Sequence, residues 1–224
     1  MWWLVPLTLP IIYYAGKKIF SEDENNVINK YSILEKNFQN IETLWHSRNN
    51  KICILGSPGA GKSSLIHSIT NSKAVPLPKI GVETDTTDFS KNIIYDPFIK
   101  YENYYILDAP GYDTTSHPVS AYLDYLPFSS FNKIIYIFKT KFRTSDHLLI
   151  RHLIRNVPAE KIIFIRSFSD SLEIAEKEIV EKDLNNILNA INYSFKLNFI
   201  SNRTKDGINS VRQQIFSNTK RETS

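Results

Sequence analysis

Eight consecutive residues have the spacing G-x-x-x-x-G-K-S, which is typical of loops that bind the phosphates of a nucleotide. The phosphate loop comprises Gly56, Ser57, Pro58, Gly59, Ala60, Gly61, Lys62 and Ser63. Glycines allow the backbone to turn its N–H groups toward an anion, and the start of a helix adds partial positive charge. The lysine ammonium can reach the β- and γ-phosphates, and the serine hydroxyl can bind Mg²⁺.

The segments on both sides of the phosphate loop predict the elements that must position it. Residues 51–55 are a short, mainly apolar run and predict a buried strand. Residues 64–72 predict a helix, so Ser64 joins the candidate phosphate ligands. A glycine-rich turn can match the pattern by chance, but the order of strand, loop and helix favours a nucleotide site.

A second motif, Asp108-Ala109-Pro110-Gly111, follows the apolar run at residues 104–107. A strand that ends in aspartate places a carboxylate at the edge of the sheet beside the phosphate loop, where it can hold Mg²⁺ through water. The N–H of Gly111 can approach a γ-phosphate closely because glycine has no side chain. The alternative interpretation is a surface β-turn.

The loop at residues 81–88 lies between these two motifs and is rich in threonine and aspartate. A threonine hydroxyl there can complete the Mg²⁺ shell and sense the γ-phosphate. Thr86 and Thr87 are the best candidates, and Thr84 is a third. The alternative is a loop that is merely polar. The predicted metal ligands are therefore Ser63 and Asp108 with Thr86 and Thr87, and the predicted catalytic groups are Lys62, Thr87 and Gly111.

The rest of the chain alternates apolar runs with amphipathic segments, which predicts an α/β fold. The expected architecture is a three-layer P-loop domain over residues 49–218, with a mainly parallel sheet and a preceding N-terminal helix. A polar tail, residues 219–224, is expected to be disordered. Strands are predicted over 92–95, 104–107, 133–138, 161–166 and 197–200. Helices are predicted over 145–155, 172–191 and 207–216.

The overall composition is that of an ordinary folded domain and excludes several classes of function. Of the 224 residues, 42% are hydrophobic, 27 are basic and 23 are acidic. No basic run is interleaved with aromatic residues, so no nucleic-acid partner is expected. The single cysteine, Cys53, is interpreted as a small core residue. The histidines lack the spacing of a zinc site.

The N-terminal 20 residues form a hydrophobic segment that is a candidate membrane anchor. Residues 2–15 carry no charge, have paired aromatic residues near both ends, and precede Lys17 and Lys18. Pro6 and Pro10 interrupt the run, which is short for a spanning helix. The anchor would place the rest of the chain on the cytoplasmic side of a membrane. The alternatives are an arm that docks on the chain's own core in a cytoplasmic protein, or an interaction tail.

Residues 21–48 predict an amphipathic helix, because apolar residues recur at steps of three and four. The apolar stripe comprises Val27, Ile28, Tyr31, Leu34, Phe38, Ile41, Leu44 and Trp45. We favour packing of this stripe onto the nucleotide domain, since most apolar stripes belong to a core. A spacer, or a helical partner for a second copy, is the alternative.

The phosphate loop, the threonine loop and D-x-P-G, in this order, resemble a translation-factor-class GTPase domain. A narrower resemblance is carried by residues 140–149, which are similar to the T-x-F-x-x-x-D-x-x-L segment of the immunity-related, interferon-inducible, dynamin-like GTPases. Ser201-Asn202 also resembles the S-N base loop of those proteins. The resemblance implies GTP or GDP as the ligand, Mg²⁺ as the cofactor, and a candidate homodimer across the nucleotide face.

The guanine-binding segment departs from the [NT]-K-x-D pattern of such GTPases. Here the strand is followed by Ser167-Phe168-Ser169-Asp170. The Asp170 carboxylate can accept both N1–H and the 2-amino group of guanine, and the Phe168 ring can stack where a lysine stem normally covers the base. Ser167 keeps a small hydroxyl, and Ser201 with Asn202 can contact the base carbonyl. The alternative role of Asp170 is an N-cap for a helix at Leu172.

Tyr112 follows D-x-P-G, where many translation-factor-class GTPases have a glutamine that orients the attacking water. The resemblance therefore implies a GTPase with a low intrinsic rate, with an activating group supplied by self-association or by a partner. Candidate arginines in this chain are Arg143, Arg151 and Arg155. The alternatives are a nucleotide-binding module without significant hydrolysis and an ATP-using P-loop enzyme.

Overall fold

The computed structural model describes residues 21–44, 50–81, 88–188 and 195–216, with side chains from residue 32 onward. Several predictions lie outside these residues. They are the N-terminal segment at 1–20, the end of the predicted helix at 45–48, Thr84, Thr86 and Thr87 in the threonine loop, and the tail at 219–224.

One sheet runs through the described part of the chain and consists of six strands. The strands are β1 (Lys51–Leu55), β2 (Phe98–Tyr101), β3 (Tyr104–Asp108), β4 (Lys133–Phe138), β5 (Ile162–Arg166) and β6 (Leu197–Phe199). Their order is β2-β3-β1-β4-β5-β6, and only the edge strand β2 runs antiparallel to its neighbour. The predicted mainly parallel sheet is confirmed, and the carboxyl ends of β1, β3, β4 and β5 meet at one edge.

Helices cover both faces of the sheet and complete the predicted three layers. They are α1 (Ser21–Thr43), α2 (Lys62–Thr70), α3 (Val119–Tyr125), α4 (Thr144–Asn156), α5 (Ile174–Leu188) and α6 (Ile208–Phe216). Side chains of α1, α3, α4 and α5 share one core cluster with the sheet, and α2 and α6 share the other. Alternate residues of β4 point into opposite clusters, because neighbouring side chains of a strand face opposite ways. This two-sided burial explains why the strand reads as an unbroken apolar run.

Helix α1 packs onto the domain, as the favoured interpretation of its apolar stripe predicts. Leu34, Phe38 and Ile41 are buried in the core cluster, and the ring centroid of Phe38 lies 5.1 Å from that of Tyr122 on α3. The buried amide of Asn37 donates to the carbonyl oxygens of Phe89 and Asn92 and accepts from the N–H of Ile94. Helix α1 therefore supports the segment that follows the threonine loop.

The predicted strand at residues 92–95 is wrong, and the strand begins instead at Phe98, directly after Pro97. Ile93 and Tyr95 are 40% and 87% exposed, and of the apolar residues in this segment Ile94 alone packs, partly buried, against the core. Its backbone groups bind the Asn37 amide rather than a neighbouring strand. A contact across 57 residues thus replaced the ladder that the local pattern predicted. Helix α3 was not predicted either.

Candidate functional site

The phosphate loop connects the carboxyl end of β1 to α2, which begins at Lys62. At Gly56 an added Cβ would lie 2.2 Å from the carbonyl oxygen of Ile137, so the loop passes β4 too closely for any side chain. Gly61 has φ of 96°, a left-handed conformation that favours glycine. The glycines of the motif therefore follow from the geometry of the loop, as the pattern predicts.

The side chain of Lys62 lies across the loop with only 9% of the residue exposed. Its ammonium donates hydrogen bonds to the carbonyl oxygens of Gly56, at 2.9 Å, and Ser57, at 3.2 Å. The positive charge is thus held over the loop before any phosphate binds. Ser64 is half-buried in the first turn of α2. The arrangement suits an anion in the position that the sequence predicts.

Ser63 and Asp108, the two predicted metal ligands among the described residues, lie in direct contact. The Ser63 hydroxyl donates to Oδ2 of Asp108 at 2.7 Å, and the residue Asp108 is 4% exposed. Oδ1 of the same carboxyl is buried and has no hydrogen-bond partner in the part of the chain that the structure describes. Burial raises the pKa of Asp108, an effect that the hydrogen bond from Ser63 and the charge of Lys62 oppose. A buried oxygen without a partner is costly, and a divalent cation would satisfy it, so these oxygen ligands fit Mg²⁺.

The D-x-P-G segment lies directly against the phosphate loop. The N–H of Ala109 donates to the carbonyl of Ile54 at 3.2 Å, which continues the pairing of β3 with β1. An added Cβ at Gly111 would lie 2.6 to 2.7 Å from atoms of Pro58, so only glycine fits there. The structure therefore brings the two predicted motifs together, and the surface-turn interpretation of D-x-P-G is wrong.

Three residues that were predicted to bind the base gather around Gly61, at the opposite end of the loop from Gly56. A Cβ at Gly61 would lie 3.4 Å from Nδ2 of Asn202, 3.8 Å from the Phe168 ring and 3.9 Å from Cβ of Ser167. Phe168 is 49% exposed, so its ring offers a face to a ligand. The structure thus places both base segments beside the phosphate loop.

Ser167 lies at this site but uses its hydroxyl for support. The residue is fully buried, and its Oγ is within hydrogen-bond distance of the carbonyl oxygens of Ala60, at 2.7 Å, and Phe138, at 3.1 Å. These bonds tie the ends of β4 and β5 to the phosphate loop. Ser167 therefore has an indirect role in holding the loop, which the sequence pattern did not distinguish from a contact with the base.

The Asp170 carboxylate faces the loop at residues 201–206. Asp170 lies in a short 3₁₀ helix, Ser169–Ser171, and α5 begins only at Ile174, so the helix N-cap alternative is wrong. A hydrogen bond from Ser201 is the main cause of a lowered pKa of Asp170, to which the charge of Arg203 adds. Nη2 of Arg203 lies 2.5 Å from Oδ2 of Asp170. The sequence analysis did not identify Arg203. Its position directly after Asn202 of the base loop was the available signal.

Comparison with known proteins is consistent with this geometry. The model of the interferon-inducible GTPase family (IIGP) matches residues 17–208. The chain belongs to this family. As an interferon-inducible GTPase family member it is a GTP-binding protein, and the resemblance carried by its sequence motifs is confirmed.

Three relatives show the range of this likeness. A probable GTP-binding protein EngB of Rickettsia peacockii is 25% identical over 175 residues, which cover 74% of this chain and 77% of the relative. The T-cell-specific guanine nucleotide triphosphate-binding protein 2 of Mus musculus is 28% identical over 166 residues, which cover 73% of this chain but 37% of the mouse protein. A crystal structure of a probable GTP-binding protein engB has a TM-score of 0.54 at 16% identity, covers 75% of this chain and 97% of that chain, and shares the fold.

The residue after D-x-P-G in this family member points into the protein interior. Tyr112 is fully buried, and its hydroxyl binds the hydroxyl of Tyr136 and the carboxylate of Asp146. Burial, followed by the charge of Asp146, raises the pKa of Tyr112, so the phenol keeps its proton. The Tyr112 side chain therefore cannot orient a water molecule at the phosphate loop. Asp146 belongs to the T-x-F-x-x-x-D-x-x-L segment, whose spacing did not indicate this contact.

The three candidate arginines of the interferon-inducible GTPase domain lie in or next to α4. Arg143 precedes the helix, and its Nη1 lies 3.7 Å from Oδ2 of Asp113, two residues after Gly111. Arg151 and Arg155 are exposed on the helix itself. Arg143 is therefore the candidate in contact with the segment that follows D-x-P-G.

Proposed function

We propose that this chain binds GTP together with Mg²⁺ and hydrolyses it slowly to GDP and phosphate. The observation that carries the proposal is the buried Oδ1 of Asp108, beside the Ser63 hydroxyl and the phosphate loop, which has no partner within the described ranges of the chain. Mg²⁺, when bound by these oxygens, neutralises charge on the β- and γ-phosphates. Lys62 transfers its donors from the loop carbonyls to the phosphates, and the loop N–H groups stabilise the charge that develops there.

Guanine selectivity is proposed to depend on Asp170 and Phe168. The ionised Asp170 carboxylate accepts two N–H groups that guanine has and adenine lacks, which supports GTP over ATP as the ligand. The exposed Phe168 ring stacks on the base. Asn202, beside Gly61, contacts the base carbonyl.

The low rate is proposed because no side chain at position 112 reaches the reacting water. Tyr112 is buried, so the missing water-orienting group comes from outside this segment. We propose that a second copy of the chain, paired across the nucleotide face, or another partner supplies this group. Of the three candidate arginines in this chain, Arg143 is in the best position, because it contacts Asp113. Thr87 or Thr86 is proposed to complete the Mg²⁺ shell.

The N-terminal segment at residues 1–20 is proposed to tether this switch to the cytoplasmic side of a membrane. Its uncharged stretch and flanking aromatic residues support the proposal. Among the helices in the described ranges, none is both long and apolar enough to cross a bilayer. A flotation assay of the full chain with vesicles, with and without residues 1–20, tests the tether.

Single-turnover hydrolysis by the purified full chain tests the proposed activity. We expect Mg²⁺-dependent conversion of GTP to GDP, and loss of tight Mg·GTP binding in Lys62→Ala. Unchanged nucleotide affinity in Lys62→Ala would contradict the assignment of the phosphate loop as the nucleotide site. Binding of GTP without any turnover, alone or at high protein concentration, would instead assign the chain as a binding module. Equal competition by ATP would remove the guanine selectivity.

A further inference from the structure

Three buried polar side chains form a tyrosine–aspartate cluster, defined as Tyr112, Tyr136 and Asp146. Tyr112 and Tyr136 are 0% exposed and Asp146 is 6% exposed. Oδ1 of Asp146 accepts hydrogen bonds from both phenols, from Tyr136 at 2.7 Å, and the two hydroxyl groups also lie within hydrogen-bond distance of each other. Oδ2 of Asp146 accepts from the N–H of Arg143 at 2.6 Å. The cluster therefore joins the residue after D-x-P-G to β4 and to the first turn of α4.

The residues before Tyr112 are held by separate contacts. The carbonyl oxygen of Pro110 accepts a hydrogen bond from the hydroxyl of Tyr122 at 2.8 Å. Gly111 lies against Pro58 of the phosphate loop, with no room for a side chain. Tyr112 is anchored on the other side of Gly111 by its bond to Asp146. Gly111 thus sits between two anchored neighbours.

We propose that Tyr112 is a positioning residue, which acts through Asp146 to hold the N–H of Gly111 in place for the γ-phosphate of GTP. The inference rests on the proposed function, in which this site binds GTP. Ordering a flexible residue opposes binding, and an anchor that orders it beforehand removes that penalty. Only GTP carries a γ-phosphate, so the anchor strengthens the binding of GTP relative to GDP.

The cluster contains its own matched control. Tyr136 binds the same oxygen of Asp146 as Tyr112 does, and it is equally buried, but it belongs to β4. Burial raises the pKa of both tyrosines, so both are protonated donors at neutral pH. Removing either hydroxyl weakens the buried network, while only the hydroxyl of Tyr112 connects that network to Gly111. A purely structural role predicts equal effects of the two changes.

The test compares Tyr112→Phe with Tyr136→Phe in the full chain. The dissociation constants of a non-hydrolysable GTP analogue and of GDP are measured with Mg²⁺, together with the thermal midpoint of unfolding. We expect Tyr112→Phe to weaken analogue binding by about tenfold, the penalty for ordering one residue that is no longer anchored beforehand, and to leave GDP binding unchanged. We expect Tyr136→Phe to lower the thermal midpoint comparably and to keep the analogue-to-GDP ratio of the native chain.

An unchanged or increased preference for the analogue in folded Tyr112→Phe overturns the inference, as does an equal loss of preference in Tyr136→Phe. If Tyr112→Phe does not fold, Asp146→Asn is measured in the same way, because it retains an oxygen acceptor but loses the charge. A reduced preference in that variant supports the inference, and an unchanged one overturns it. Failure of the proposed function is distinct, since the native chain itself would then bind neither nucleotide.

Discussion

The phosphate side and the base side of the site are built differently. The phosphate side consists of backbone groups and buried side chains, with Gly56 against β4 and Asp108 in contact with Ser63. The base side consists largely of exposed or loop-borne side chains, with Phe168 at 49% exposed and Asp170 paired to Arg203. In the proposed function, phosphate binding therefore depends on the path of the backbone, and base selectivity depends on side chains outside the core.

The two carboxylates of the site show the same contrast in their electrostatics. Burial raises the pKa of Asp108, and its Oδ1 has no hydrogen-bond partner among the residues that the structure describes. A hydrogen bond from Ser201 lowers the pKa of Asp170, which stabilises the charged form that accepts N–H groups of a base. In the proposed function, poor solvation favours a metal at the first carboxylate, and good hydrogen bonding favours a neutral base at the second.

The largest expected effect is on the phosphate side, in Asp108→Ala. Removing the carboxylate that is proposed to hold Mg²⁺ should reduce Mg·GTP affinity by more than about a hundredfold, because the cation contributes several kcal/mol at the phosphates. Affinity measured with and without a chelator checks this result. Asp108→Asn, which keeps the partner of Ser63, is the matched variant and should lose most of the Mg²⁺ effect. An intact Mg²⁺ effect in both variants would contradict the assigned cation site.

The next effect is on the base side, in Asp170→Ala. We expect GTP affinity to fall by about thirtyfold, because two hydrogen bonds to a charged acceptor are lost, while the weak affinity for ATP stays constant. Competition between the two nucleotides measures the change. Asp206→Ala is the control, since that carboxylate accepts from Thr204 in the neighbouring loop. Equal losses for GTP and ATP would mean that Asp170 only supports the fold.

A smaller effect is expected in Phe168→Ala. Loss of base stacking, worth about 1–3 kcal/mol per base, should weaken GTP and GDP by about tenfold alike. Phe168→Tyr retains an aromatic face and should bind as the native chain does. Isothermal titration calorimetry of each of the two variants with GTP and with GDP checks the prediction. A normal affinity in Phe168→Ala would show that the ring does not cover the base.

The smallest effect, and the opposite sign, is expected in Arg203→Ala. Oδ2 of Asp170 is paired to Arg203 before guanine binds, so removing this arginine should raise GTP affinity by about threefold at low salt. The gain should vanish at high ionic strength, where the exposed pair is screened. Lys161→Ala, which removes the same charge just before β5 at the end of the strand away from the site, is the control for net charge. A loss of affinity in Arg203→Ala would mean that this arginine orients Asp170 or contacts the nucleotide.

Local sequence patterns predicted the parts of the molecule that local geometry controls. The phosphate loop, D-x-P-G and strand β4 were each placed correctly, because glycine positions, a strand-ending aspartate and an unbroken apolar run are sufficient to specify them. The predicted strand at residues 133–138 has the same bounds as β4. The apolar residues at 92–95 led to a wrong strand prediction, because local patterns do not show distant contacts. Here the side chain of Asn37 in α1 forms hydrogen bonds with the backbone of this segment.

The sequence by itself determined that a nucleotide phosphate site exists, where its glycines and lysine lie, and which carboxylate accompanies them. Only the tertiary structure decided the roles of the neighbouring polar groups. Ser167 is committed to the carbonyl of Ala60, 107 residues away, and Tyr112 to Asp146, 34 residues away. A hydroxyl acquires its role from the partner that the fold brings to it, and such a partner is not encoded in the spacing of nearby residues.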